Sequence, residues 1–370
     1  MAEKLSNTEI VKFMNYTTTY GADKINDEIT NYLSGFSTAS QSIKNMEKTV
    51  DPTTLANLSK ATSKDQLIAT AMKCLRSIDS RLADLAQKAL DDYMITKDIT
   101  LDQRATNSHA KCEKDGDRLN LHIVATPDIN GVVAIGQNLV NASLYKEYYD
   151  NQKAEDKSRD NLSIQCANKF VGYMMVDTIA RKLKLSPEQK TAMQWELLND
   201  THQSIETLET AQKLFGGVLK DNPEIFKANM QGSFSADAFN MAMEGYVDST
   251  TSKEGVNDFI RDVADEGKTP HFLAGNILSD LSALDLREKY YENPDITIGK
   301  ILDGARNNKK LSELTSKTNA EIINQTPAQI KDLNIEKYKD IDPNRPLSEQ
   351  LLDLSNEQVR QMEMLRKNIK

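Results

Sequence analysis

The 370-residue chain is poor in residues that break helices or cross-link small folds, with 15 glycines, 9 prolines and 3 cysteines. Helix interiors tolerate glycine and proline poorly, so their scarcity favours a helical chain. An odd number of widely spaced cysteines does not predict a disulfide framework and points to a reducing compartment. No apolar stretch approaches the roughly 20 residues that span a bilayer, so we expect no membrane insertion.

The chain also lacks an excess of positive charge, since its formal net charge is −9. We therefore expect no nucleic acid partner. The N-terminus has no long apolar segment of the kind found in cleaved signal peptides, which predicts a cytoplasmic protein. Glu357 and Glu363 lie in a polar C-terminal segment that resembles glutamate-rich type IV secretion signals. Export by that route would place the protein in a host-cell cytoplasm.

Apolar periodicity predicts most of the chain to be helical. Apolar residues recur at steps of three and four from Leu67 through Ala71, Cys74 and Ile78 to Leu82, which predicts one amphipathic helix over 63–93. The most apolar segment, 166–180, predicts a central core helix. Further helices are predicted from Ser186-Pro187 to a stop at Gly216-Gly217, and over 223–231, 235–247, 254–265 and 271–290.

A period of two appears only around residues 119–124, within a polar stretch over 97–135 that we interpret as a loop and hairpin insertion. Asn130-Gly131 follows, and Asn-Gly between apolar runs is a strong hairpin signal. The pattern predicts one β-hairpin at about 119–135. The alternative is a strand that continues into a helix beginning near Val132.

The C-terminal part is predicted to be a tail of short capped helical turns. Eight-residue blocks begin at Lys310, Thr318, Thr326 and Asn334, and each has an apolar fifth residue. A last helix is predicted over roughly 347–368. We therefore divide the chain into a helical core domain, 1–305, and a tail, 306–370.

Two groups of residues have the types needed for chemistry. His109, Cys112 and His122 offer imidazole and thiolate ligands for zinc, against the alternative of surface histidines and an incidental cysteine. Cys166 precedes His271, with Asn276 or Asp280 beyond. This cysteine–histidine order resembles papain-like peptidases, and the resemblance implies a thiol nucleophile, an imidazole base and an orienting amide or carboxylate. The alternative is an ordinary buried cysteine.

Asp177 lies within the predicted central helix. A buried carboxylate must be paired or have a raised pKa. Arg181, four residues on, is the predicted partner, and a position lining a cleft would make Asp177 a functional candidate instead.

The sequence has no P-loop, dinucleotide-binding glycine motif, kinase motifs, His-Glu-x-x-His or EF-hand loop, and we predict no cofactor. The pattern favours a mainly α-helical protein that acts by binding a protein partner, as an interaction or scaffold protein. One version of this hypothesis is a bacterial effector that acts on a host protein. One alternative is a cysteine-dependent hydrolase or transferase using Cys166 and His271. Another is a phage or structural protein. The balance is against an enzyme.

Overall fold

The computed structural model describes residues 5–48, 63–105, 107–151, 161–244 and 253–323. These are mainly helical with one small sheet, which confirms the predicted fold class. The helices are α1 Asn7–Tyr20, α2 Ala22–Glu47, α3 Lys64–Ile78, α4 Ser80–Asp91, α5 Ile129–Asn151, α6 Leu162–Leu183, α7 Pro187–Lys213, α8 Pro223–Met230, α9 Ala236–Glu244, α10 Lys253–Arg261, α11 Pro270–Glu292, α12 Pro294–Asn307 and α13 Leu311–Thr315. In this part of the chain, no helix is both long enough and apolar enough to cross a membrane.

The chain divides into two compact units, each built from two separate segments. The first unit comprises residues 1–41 and 200–277, and the second comprises 42–199 and 278–370. Our division into a core, 1–305, and a tail, 306–370, stays a prediction because most of the tail lies outside the described residues.

The predicted helix over 63–93 is two helices, α3 and α4, separated at Asp79. This residue is extended, with φ −160° and ψ 135°, and its N–H donates to the Leu75 carbonyl at 2.9 Å. Its carboxylate accepts from the Arg81 N–H at 2.8 Å, so one aspartate ends α3 and caps α4. The predicted central helix is confirmed as α6, which is buried along most of its length.

The three strands pair in the order β1-β3-β2, where β1 is Ile95–Leu101, β2 is His109–Asp115 and β3 is Arg118–Ala125. β1 is parallel to β3, and β2 is antiparallel to it. The hairpin therefore joins β2 and β3 through Gly116-Asp117, with Gly116 in the left-handed region at φ 59°.

The predicted hairpin at about 119–135 is wrong, and the alternative of a strand continuing into a helix is confirmed. Asn130 and Gly131 are buried in the first turn of α5. Asp128 caps this helix by accepting from the Asn130 N–H at 3.0 Å. A Cβ at Gly131 would lie 2.0 Å from the Thr126 carbonyl oxygen, so this glycine allows a close backbone approach and does not form a turn.

Two further expectations concern helix ends. The predicted stop at Gly216-Gly217 is wrong, because the backbone continues through a π-helical segment, Leu214–Leu219. The first two capped blocks of the tail are confirmed. Lys310 immediately precedes α13 and its N–H donates to Glu313 Oε1 at 3.2 Å, and the Thr318 hydroxyl accepts from the Glu321 N–H at 3.3 Å. The blocks at 326 and 334 and the helix over 347–368 lie outside the described residues.

Candidate functional site

Cys166 is a core residue and not an activated nucleophile. It lies on α6 in the second unit and is 0% exposed. Burial raises the pKa of its thiol, and the Asp280 and Asp285 carboxylates raise it further. A nucleophilic cysteine needs a lowered pKa, so the alternative interpretation, a buried apolar-like cysteine, describes this residue.

His271, the predicted base, is engaged elsewhere. It is the second residue of α11 and belongs to the first unit. Its Nδ1 lies 2.8 Å from the Tyr32 hydroxyl, and its Nε2 lies 2.9 Å from Glu28 Oε2. Each ring nitrogen thus has a partner, a phenol for Nδ1 and a carboxylate for Nε2. Neither residue therefore has the surroundings that the predicted cysteine–histidine pair requires.

Neither predicted orienting residue serves His271. Asn276 follows it by five residues on α11, which places the two side chains about 140° apart around the helix. Asp280 is 0% exposed, and its Oδ1 accepts from the Tyr173 hydroxyl at 2.7 Å. Side chains three or four residues apart meet on a helix surface, and these spacings do not.

The three predicted zinc ligands do not lie on one face of the sheet, because successive side chains of a strand point to opposite faces. His122 lies on the exposed face of β3, with Nδ1 2.7 Å from Asp98 Oδ2, and the ring of His109 is 6.3 Å away. Cys112 lies opposite Leu121, which faces the core. Burial, and secondly Glu113, raise the pKa of the Cys112 thiol to about 11, which disfavours a thiolate ligand.

Within the described ranges, no three His, Cys, Asp or Glu side chains are grouped so that they could hold a metal ion.

Asp177 is paired, although not with the predicted residue. It is 3% exposed, and its Oδ1 lies 2.9 Å from Arg287 Nη2 and 2.9 Å from Lys190 Nζ. Tyr291 donates to Oδ2 at 2.8 Å. Burial would raise the pKa of this carboxyl, but the two cations outweigh it and hold the pKa below its usual value. The Arg181 guanidinium instead lies over the Tyr291 ring, 5.5 Å from its centroid.

A pocket of about 210 Å³ lies where the β2–β3 hairpin turns, beside the last turns of α5. Sequence reasoning missed it, because Asp115-Gly116-Asp117 has only the pattern of a turn and the charged stretch 146–160 has only the pattern of an exposed connection. The lining residues are Met94, Lys114, Asp117, Arg118, Leu119, Lys146, Tyr149 and Asp150.

Three cations meet at this pocket, and their partners differ. Lys146 Nζ forms an ion pair with Asp150 Oδ1 at 2.5 Å. Lys114 Nζ lies 5.1 Å from the centroid of the Tyr149 ring. The Arg118 guanidinium makes no hydrogen bond or ion pair with any residue in the described ranges. The Arg118 guanidinium is thus available to a ligand.

Comparisons with known proteins give structural matches alone. No family model matches the chain, and no curated protein matches it. It is similar to PZ peptidase A with an inhibitor, at 9% identity and a TM-score of 0.49 over 89% of this chain and 59% of that one. It is also similar to a protein assigned as an oligoendopeptidase F from Bacillus anthracis, at 9% identity and a TM-score of 0.43 over 75% of this chain and 47% of that one.

These matches contradict our functional prediction, because the matched proteins are peptidases and not scaffold, effector or phage proteins. That prediction is withdrawn. The matches do not supply a replacement, since the TM-scores are below 0.5 and the chain spans only about half to three fifths of each matched structure. The expectations of a protein partner and of no nucleic acid partner stay predictions.

Proposed function

We propose that the second unit binds a small organic anion, a carboxylate or phosphate attached to an apolar body, in the pocket at the β2–β3 turn. The supporting observation is Arg118, which lines the pocket without a side-chain partner among the described residues. Guanidinium groups bind carboxylate and phosphate through two parallel hydrogen bonds, and such charge-assisted bonds are the strong ones.

The charges of the pocket favour binding of the ligand's anionic group on the side formed by the β2–β3 hairpin. Lys146 and Asp150 largely neutralise each other through their ion pair. Lys114 and Arg118 then stand against Asp117, which leaves an excess of one positive charge. The C-terminal end of α5 has a negative partial charge, so the anion is expected against Arg118 and Lys114 and away from the helix end.

Part of the pocket surface is apolar, and this part suits the body of the ligand. Met94, Leu119 and Tyr149 contribute this surface. Ligand sites typically combine such a surface with a few polar groups that fix orientation. A volume of about 210 Å³ is below the range of drug-sized ligands, which indicates a molecule with one small ring or a short chain.

The test is calorimetric titration of the full chain with phenyl phosphate, inorganic phosphate and phenol. We expect phenyl phosphate to bind and phenol to bind much less. Arg118→Glu should weaken phenyl phosphate binding at least about 10-fold, since a hydrogen bond to a charged group contributes about 1.5–3 kcal/mol. Arg104→Glu is the control, because Arg104 is exposed and does not line the pocket.

Either of two results would overturn the proposal. One is the absence of phenyl phosphate binding at millimolar concentration. The other is equal binding by the Arg118→Glu and Arg104→Glu variants. Inorganic phosphate that binds as tightly as phenyl phosphate would refute the role given to the apolar wall.

A further inference from the structure

The first unit brings a carboxylate, an imidazole and a phenol into one hydrogen-bonded row. Glu28 and Tyr32 are one turn apart on α2, which puts them on the same face. His271 reaches both from the start of α11, where the Thr269 hydroxyl accepts from the Phe272 N–H at 3.3 Å and caps the helix. The row does not involve the pocket of the second unit.

We infer that Tyr32 is a nucleophile that accepts an acyl, phosphoryl or sulfonyl group from an activated donor, with His271 as its general base and Glu28 as the residue that orients the ring. The order of the three groups supports this role. A carboxylate only accepts hydrogen bonds, so His271 Nε2, 2.9 Å from Glu28, bears the ring hydrogen. Nδ1, 2.8 Å from the Tyr32 hydroxyl, then accepts from the phenol.

The proton of Tyr32 needs such a base. Burial raises the pKa of the phenol above its ordinary value, and the Glu28 carboxylate raises it further. Tyr32 therefore does not ionise by itself at neutral pH. General bases placed within hydrogen-bond reach accelerate such steps by about 10²- to 10⁴-fold.

Tyr32 and His271 are also accessible to a donor molecule. The His271 side chain is 64% exposed, and Tyr32 is half-buried. In the transfer, a bond forms between the phenolic oxygen and the electrophilic atom of the donor, and the bond from that atom to the leaving group breaks. The phenolic proton moves to Nδ1 of His271, and the imidazolium then releases it to solvent.

Benzenesulfonyl fluoride tests the inference, because it transfers a sulfonyl group to a phenol and releases fluoride. The full chain is treated at neutral pH, and the labelled tyrosines are located by mass spectrometry over time. Tyr20 and Tyr93 serve as internal controls, since their exposed fractions are 58% and 82%. We expect Tyr32 to be labelled at least about 10-fold faster than either, despite its lower exposure.

Variants separate base catalysis from a structural hydrogen bond. His271→Gln keeps a hydrogen-bonding side chain and removes the base, so labelling of Tyr32 should fall at least about 10-fold, with labelling of Tyr20 unchanged. Glu28→Gln should give a smaller loss. The inference is overturned if Tyr32 in the natural chain reacts no faster than Tyr20, or if His271→Gln reacts at the natural rate.

Discussion

At the scale of single residues, Glu196 on α7 is a buried acid whose pKa affects how stability depends on pH. One carboxyl oxygen accepts from the Ser108 N–H at 3.2 Å, and the other is buried without a partner among the described residues. Burial, with a further contribution from Asp128, raises the pKa of Glu196 to about 8. At neutral pH the folded protein therefore holds this group as the neutral acid.

The sign of the effect on stability follows from where the proton is bound. In the unfolded chain the carboxyl ionises near pH 4.5, and in the folded chain near pH 8. The folded state holds a proton that the unfolded state releases between these values. The free energy of unfolding should therefore fall as the pH rises from about 4.5 to about 8, and this contribution levels off above that range.

Glu196→Gln should remove this slope, because the amide is neutral at every pH. We expect the variant to gain stability over the natural chain as the pH rises, by on the order of 3 kcal/mol at pH 8. Urea unfolding at pH 5, 6.5 and 8 measures the difference. Glu292→Gln, at an exposed glutamate, is the matched control. Parallel stability curves for the natural chain and Glu196→Gln would show that the prediction is wrong.

Asp177 shows how much about a single buried residue can be predicted from the sequence. Its place in an apolar helix is enough to predict a buried, paired carboxylate. The identity of the partner is not local, since Arg287 lies 110 residues further along the chain. The predicted Arg181 is closer in sequence but stacks on Tyr291. The same limit applies to His271, whose partners Tyr32 and Glu28 are more than 200 residues away in the sequence.

At the scale of elements, caps and apolar stripes predicted most helices, while breaks and turns depended on tertiary contacts. A serine followed three residues later by glutamate or glutamine is the sequence pattern of a capping box, and Ser6 with Glu9 and Ser186 with Gln189 both form one. Asn130-Gly131 has the local signature of a hairpin turn, and only the close approach of the Thr126 carbonyl explains its place in a helix. Asp79 likewise interrupts an apolar stripe that continues on both sides.

The contact between α12 and α13 can be tested with two glycines of α12. A Cβ at Gly304 would lie 2.5 Å from Leu314 Cδ1 and 2.9 Å from its Cγ, whereas a Cβ at Gly299 would meet only Arg81 Nη1 at 4.0 Å. Alanine in a helix is favoured over glycine by about 1 kcal/mol. Gly299→Ala should therefore stabilise the protein by about 0.5–1 kcal/mol.

Gly304→Ala should destabilise the protein by about 1–3 kcal/mol, because the overpacking outweighs the gain in helix propensity. Urea unfolding of both variants gives the comparison. Adding Leu314→Ala to Gly304→Ala removes the clash, so the double variant should be less destabilised than the sum of the two single changes. A stabilising effect of Gly304→Ala would contradict the observed packing of α13.

At the scale of the whole molecule, the net charge of the chain gives no indication of the pocket. The net charge of −9 predicts an acidic surface, yet Lys114, Arg118 and Lys146 come together at one end of the sheet. They lie in two chain segments that are about 30 residues apart, and neither segment has a basic composition. Only the antiparallel pairing of β2 with β3 and the direction of α5 bring these side chains to one place.

The second unit is assembled from two separate segments, and this organisation leads to a prediction about fragments. Residues 42–199 contain Asp177 and Lys190, but Arg287 comes from the segment 278–370. Without that segment the buried Asp177 keeps one cation in place of two, and α6 loses the cover of α12 and α13. Removing one partner of a buried ion cluster costs about 3–5 kcal/mol, which is a large part of the stability of a domain.

We therefore expect the fragment 42–199 to lack a cooperative thermal transition and to show poor dispersion of amide signals by NMR. Co-expression with residues 278–323 should restore both, because this segment supplies Arg287, α12 and α13. The same segment with Arg287→Met is the control, since it restores the apolar cover without the guanidinium. A fragment 42–199 that unfolds cooperatively alone would show that the second segment is peripheral to the core of the unit.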